Sequence, residues 1–179
     1  MKTLYQTLED KDNPDFVEEH GPFLCKAKGA WLGEGYYFWE SFLKYAMWWG
    51  ETKYKSKGFF ICESKVDFNR IKVLDLLDTD TIKDFINIGK DWYAEMHEYP
   101  TVPQVIEYMR EDKSFNYQAI RARVENATNE SFLPGHKMYF NPGYSAYLEL
   151  LPQIQVCVLD KHIIGEDNFH IVYPPMYVG

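Results

Sequence analysis

The chain has 179 residues with 46% apolar and 26% charged side chains, which excludes intrinsic disorder as a default and suits a single domain, 1–179. Its 27 acidic and 19 basic residues leave a net charge of −8. That balance excludes a broad phosphate-gripping surface of the kind that drives non-specific nucleic-acid binding.

Aromatic residues reach 17%, enough to fill a core and still offer flat faces to a ligand. No apolar run approaches the roughly 18 residues that span a bilayer, and the first six residues lack the apolar centre of a signal segment. Three cysteines, Cys25, Cys62 and Cys157, show no CxxC spacing and suit buried thiols in a reducing compartment. The expected location is cytoplasmic, with no membrane partner.

In chain order, residues 2–7 alternate and read as a short strand. Residues 8–30 read as irregular, with turn signals at Asn13-Pro14 and Gly21-Pro22. Gly29, Gly33 and Gly35 surround an aromatic cluster from Trp31 to Trp39. Residues 40–49 lack breakers and predict a helix that stops at Gly50. Two β-rich runs follow, 58–62 and 71–76. The stretch Asp78-Thr79-Asp80 predicts the cap of a helix reaching His97, with Ile82, Phe85, Ile86 and Trp92 on its inner face. Further helices are expected near 102–111 and 115–126, then strands at 137–140, 154–159 and 169–173. Strands at both ends of a helical middle imply an α+β fold with a mixed or antiparallel sheet.

Five histidines (His20, His97, His136, His162 and His170) form no HExxH and no close helical pair, so no metal site is expected. Cys157 lies in an apolar run without a partner base and reads as core. Gly33-Glu34-Gly35 does not extend to the dinucleotide-binding GxGxxG, because Phe38 stands at the third glycine. The stretch from Trp31 to Glu40 combines glycines, which let a ligand approach the backbone, with flat rings directly after them. A glycine-bent core strand would explain the same residues.

Gly35-Tyr36-Tyr37-Phe38 resembles the Gly-x-Tyr-Phe motif of the poly-ADP-ribose-polymerase-like, or diphtheria-toxin-like, ADP-ribosyltransferases. In that superfamily the tyrosine lines a nicotinamide pocket, and a small Ala and a second aromatic complete a sandwich nine and eleven residues on. Ala46 and Trp48 hold those places here, with Tyr45 where the family carries Ser. The family's edge-strand motif, aromatic-His-Gly, is similar to Tyr5-Gln6-Thr7. Its third motif, a late strand opened by Glu, is similar to Gln155-Val156-Cys157-Val158-Leu159-Asp160, with Gln155 at the Glu position. The likeness covers residues 3–7, 29–49 and 152–164. It is greatest to a bacterial branch in which Gln is the usual residue at that position.

This resemblance implies an ADP-ribosyltransferase-like split sheet with a helical insertion in the middle of the chain. It implies NAD as substrate and no metal, with Tyr5, Gln6, Thr7, Gly35, Tyr36, Tyr37, Ala46 and Trp48 binding NAD, and Gln155 and Tyr37 in catalytic roles. The implied activity is mono-ADP-ribosyl transfer to a protein or nucleic-acid acceptor, as a toxin or effector with a neutralising partner protein. Gln155 brings no charge and no base, so the acceptor, Glu40 or Glu149 would supply the carboxylate. The alternatives are a catalytically weak NAD- or ADP-ribose-binding module and a protein-interaction domain on the same fold.

Overall fold

The computed structural model describes residues 1–125, 137–143, 145–165 and 168–178. The first strand, β1 (Lys2–Glu9), buries Leu4 and Gln6 and runs on past the expected end at residue 7. A short helix, α1 (Pro14–His20), occupies the stretch expected to be irregular, with a proline in its first turn where a missing N–H costs nothing. The aromatic cluster becomes β2 (Tyr36–Glu40), followed by α2 (Leu43–Lys53) and β3 (Phe59–Val66). Next come β4 (Val73–Asp75), α3 (Thr79–Met96), α4 (Val102–Arg110) and β5 (Ala119–Arg123). The chain ends with β6 (Lys137–Tyr139), β7 (Tyr147–Glu149), β8 (Ile154–Val158) and β9 (His170–Tyr173).

Seven of these strands form one mixed sheet in the order β4-β5-β8-β2-β1-β3-β9, and β6 and β7 form a separate hairpin. Only β4 and β5 run parallel; every other neighbouring pair in the sheet is antiparallel. A mixed sheet with four α-helices among the described residues is compatible with the α+β class. One feature of the register matters most for the site. β1 pairs with β3 along its whole length, from Lys2↔Val66 to Glu9↔Phe59, but with β2 only at Leu4↔Glu40 and Tyr5↔Trp39. Beyond Tyr5 the two strands separate, and the sheet splits.

Two expectations need correction. The helix expected at 115–126, whose last residue lies outside the described ones, is instead β5. Its Ala and Arg content favours a helix, but Ala119, Ile120 and Ala122 are buried between β4 and β8, and that packing decides the conformation. The helix expected to stop at Gly50 continues to Lys53. Gly50 serves packing there, since a Cβ at this position would lie 2.4 Å from the Phe59 ring. Gly50→Ala is expected to lose about 1–3 kcal/mol despite the better helix former, through overpacking. A denaturation midpoint equal to that of wild type would show that Phe59 yields without cost.

Helix α3 departs from its expected inner face in a different way. Asp78 caps it as expected, accepting from the Thr81 N–H at 2.9 Å, and His97 ends it in the left-handed region at φ 59°. Phe85 joins a core cluster with Leu32, Ile106 and Ile120, and Trp92 meets Tyr108 of α4 edge-on at 5.8 Å. Ile82 and Ile86, however, are exposed, at 36% and 51%. No helix among the described residues is long and apolar enough to cross a membrane.

Candidate functional site

Where β1 and β2 part, a cleft of about 580 Å³ opens. Gln6, Thr7 and Leu8 of β1, Tyr37, Phe38 and Trp39 of β2, and Gln155 of β8 line it. The segment from Phe23 to Trp31 and the end of α2 (Trp49, Lys53 and Tyr54) complete the wall. Gln6, Thr7, Tyr37 and Gln155, drawn from three separated stretches of sequence, therefore meet in one place. Alternation along the strands explains part of this, since Tyr37, Trp39 and Gln155 share a sheet face through the pair Trp39↔Gln155.

The polar groups differ in how much they leave for a ligand. Gln6 is 4% exposed and its amide is engaged internally: Nε2 donates to Phe23 O at 3.0 Å, and Oε1 accepts from the Phe23 N–H at 2.9 Å. Its longer contact, Nε2 to Tyr37 O at 3.4 Å, bridges the split where backbone pairing has ended. Thr7 donates its hydroxyl to Ala46 O at 2.9 Å and so fixes α2 against β1. The Tyr37 hydroxyl accepts from the Leu32 N–H at 2.8 Å and donates to Gly33 O at 2.6 Å. Burial, reinforced by the neighbouring Cys157, holds this phenol well above its ordinary range. Tyr37 thus stays neutral, and its contribution to the cleft is the ring rather than a base.

Gln155 is the exception. It is 8% exposed, and its Oε1 is buried with no hydrogen-bond partner among the described residues. An orphaned acceptor of this kind costs free energy on the order of 1–3 kcal/mol unless something donates to it.

The remaining sequence candidates lie elsewhere. Tyr5 and Ala46 pack in the aromatic core beneath α2, and Tyr36 packs on the opposite sheet face with Phe38 and Val158. Gly35 is needed for strand packing, because a Cβ there would lie 2.3 Å from Cys157 Sγ and 2.9 Å from Val158 O. Cys157 is fully buried, and burial pushes its thiol up to about 12, which suits core rather than chemistry.

The expected sandwich of Tyr37 and Trp48 also needs correction, because the α2 indole that lines the cleft is Trp49. Four indoles close a ring of contacts: Trp31–Trp39 at 6.4 Å, Trp39–Trp48 at 6.1 Å, Trp48–Trp49 at 6.0 Å and Trp49–Trp31 at 6.2 Å. Trp31, Trp39 and Trp49 face the cleft, while Trp48 backs them. Consecutive helical residues point about 100° apart, so a one-residue offset in α2 decides which indole lines the cleft. The adjacent pair Trp48-Trp49 was the available signal for this and left the choice open.

Neither alternative carboxylate lines the cleft. Glu40 is 2% exposed and held by Arg121 through two contacts, Nε–Oε2 at 2.5 Å and Nη2–Oε1 at 2.8 Å, with Lys2 Nζ at 2.9 Å. Burial pushes its carboxyl up, but hydrogen bonds from Arg121 and Lys2 outweigh burial and leave it below the ordinary range. Glu149 sits in the β6–β7 hairpin and accepts from the Leu151 N–H at 3.0 Å. Among the described residues the cleft lining contains no Asp or Glu and two lysines, Lys26 and Lys53. No group of three or more His, Cys, Asp or Glu side chains converges on a metal-sized space among the described residues. No protein-family model, no curated protein and no solved structure matches this chain.

Proposed function

We propose that the cleft binds NAD and that the chain is an ADP-ribosyltransferase-like protein, passing ADP-ribose from NAD to a protein or nucleic-acid acceptor. The observation that carries this reading is the meeting of Gln6, Thr7, Tyr37 and Gln155 at one split in the sheet, with the Gln155 Oε1 unpaired there. The order β8-β2-β1-β3 and the short β1–β2 ladder support the finer reading of the fold as a split ADP-ribosyltransferase-like sheet.

In the proposed reaction the bond between nicotinamide and ribose breaks, and nicotinamide leaves with the bonding pair. The ribosyl carbon, positive in the transition state, is attacked by the acceptor, whose proton is lost as the new bond forms. Gln155 accepts a hydrogen bond from a ribose hydroxyl, but it supplies no negative charge. With neither Glu40 nor Glu149 in the cleft, the charge that stabilises this state comes from the acceptor. A toxin or effector role with a neutralising partner belongs to the same reading.

The lack of a carboxylate among the described lining residues favours a second reading, a module that binds NAD or ADP-ribose without cleaving it efficiently. One experiment supports either reading or removes both. At NAD near 100 times its dissociation constant, ligand linkage adds about 2.7 kcal/mol. For a chain of this length that is a melting rise of about 5–10 °C. Three of the five tryptophans face the cleft, so indole fluorescence falls with the same midpoint. No melting shift and no quenching at millimolar NAD would end both readings. Nicotinamide release on adding a crude acceptor lysate then separates transferase from binding module.

A further inference from the structure

We propose that Lys26 and Lys53 form an anion-binding wall of this cleft that selects ligands carrying a diphosphate, an inference that rests on the cleft being a nucleotide site. The chain carries 27 acidic residues against 19 basic ones, yet no carboxylate is among the described residues that line the cleft. The two lysines reach it from separate elements, Lys26 from the segment after Cys25 and Lys53 from the last residue of α2. Both are exposed, and neither makes an ion pair among the described residues. Other lysines do: Lys2 with Glu40, Lys57 with Glu9, Lys65 with Glu63 and Lys83 with Asp80. The cleft lysines are thus unneutralised cations in a largely acidic protein.

Concave, partly apolar walls focus such a field and raise the local concentration of anions. The indoles of Trp31 and Trp49 line the same cleft and meet each other at 6.2 Å, and such rings stack on planar bases. The orphaned Gln155 Oε1 lies in the same cleft and wants a donor, such as a sugar hydroxyl. Cation, ring and acceptor together fit a nucleoside diphosphate better than a neutral nucleoside or a bare anion.

The test compares wild type with Lys26→Gln, Lys53→Gln and the double variant, each first shown to melt like wild type. Titrations use NAD, ADP, adenosine and inorganic pyrophosphate, read by tryptophan fluorescence and calorimetry. Wild type is expected to prefer ADP and NAD over adenosine, and each substitution to weaken both by about tenfold, as loss of a charge-assisted hydrogen bond does. Adenosine affinity is expected to stay put, and the salt dependence of ADP binding to flatten in the double variant. If wild type binds NAD and the double variant binds it equally well at every salt concentration, the lysine proposal is overturned while the NAD reading stands. Binding of pyrophosphate that disappears in the double variant, with no NAD binding at all, upholds the anion site and removes the NAD reading. Failure of wild type to bind NAD, ADP and pyrophosphate alike overturns the proposal.

Discussion

Gln155→Glu is expected to raise nicotinamide release from NAD by about 10²-fold in the absence of added acceptor. The substitution is nearly isosteric, so it places a carboxylate where an amide oxygen now sits buried and unpaired. A correctly aimed group at developing charge is worth on the order of 10²–10³ in rate, roughly 3–4 kcal/mol. Low local dielectric makes the added charge effective beside a cationic transition state. The same burial disfavours the ionised form of a new Glu. The advantage over wild type is therefore expected to grow from pH 6 to pH 9 as the carboxyl ionises. If wild type already cleaves NAD quickly and Gln155→Glu slows it, Gln155 is adapted to other chemistry and the role assigned to it here is wrong.

Glu40→Ala carries the largest expected cost in stability, about 3 kcal/mol, or a melting drop of about 6–12 °C. The loss does not come from a missing attraction alone. Arg121 is 14% exposed and, among the described residues, keeps Asp75, at 3.0 Å, as its one charged partner once its two contacts to Glu40 are gone. A buried guanidinium left half-paired retains most of its desolvation cost. The pH dependence follows from the carboxyl being held below its ordinary value of 4.5. A group depressed in the folded state adds stability above its unfolded value, and that stability disappears as pH falls through the folded value. Wild type is thus expected to lose its margin over Glu40→Gln as pH drops below about 4.5. A variant that melts with wild type at pH 7 would show that the network of Lys2, Glu40, Arg121 and Asp75 is replaceable by solvent.

The sequence reading located the strands that build the site better than the side chains that line it. Residues 2–7 read as a strand from their alternation and 154–159 as β-rich, both local patterns that survive into the fold. The 31–40 stretch is open to a glycine-bent core strand and to a ligand-facing segment alike. The structure places those stretches on β1, β2 and β8, side by side. β5 was misread because Ala119-Ile120-Arg121-Ala122-Arg123 has a helix former's composition, and only its two neighbouring strands make it extended. α1 escaped notice because its seven residues give too few turns for a period to show.

Within the site, residue type alone predicted neither the Gln6 contacts with Phe23 nor the Tyr37 contacts with the 32–33 turn. Both depend on loops whose path is set by tertiary contacts. Lys26 and Lys53 were equally invisible, since a lysine among nineteen basic residues carries no mark until its neighbours in space are known. The orphaned acceptor at Gln155 is likewise a property of packing, although the late-strand motif had singled out the residue.

The split in the sheet also creates two strand edges within the fold. Strands that part inside a sheet expose edges, with rows of backbone donors and acceptors able to recruit a strand from another molecule. Here the chain occupies the gap itself. Phe23 bonds to the Gln6 side chain on the β1 side, and Cys25 exchanges two backbone hydrogen bonds with Gly35 just before β2, at 2.8 and 3.3 Å. These are irregular contacts, unlike the repeating ladder that an incoming strand would need. Gln6 thereby ties the segment at Phe23 to β1 through its side chain, and its Nε2 also reaches the Tyr37 carbonyl of β2 at 3.4 Å. The same bonds hold the segment that walls the cleft in the way of another strand.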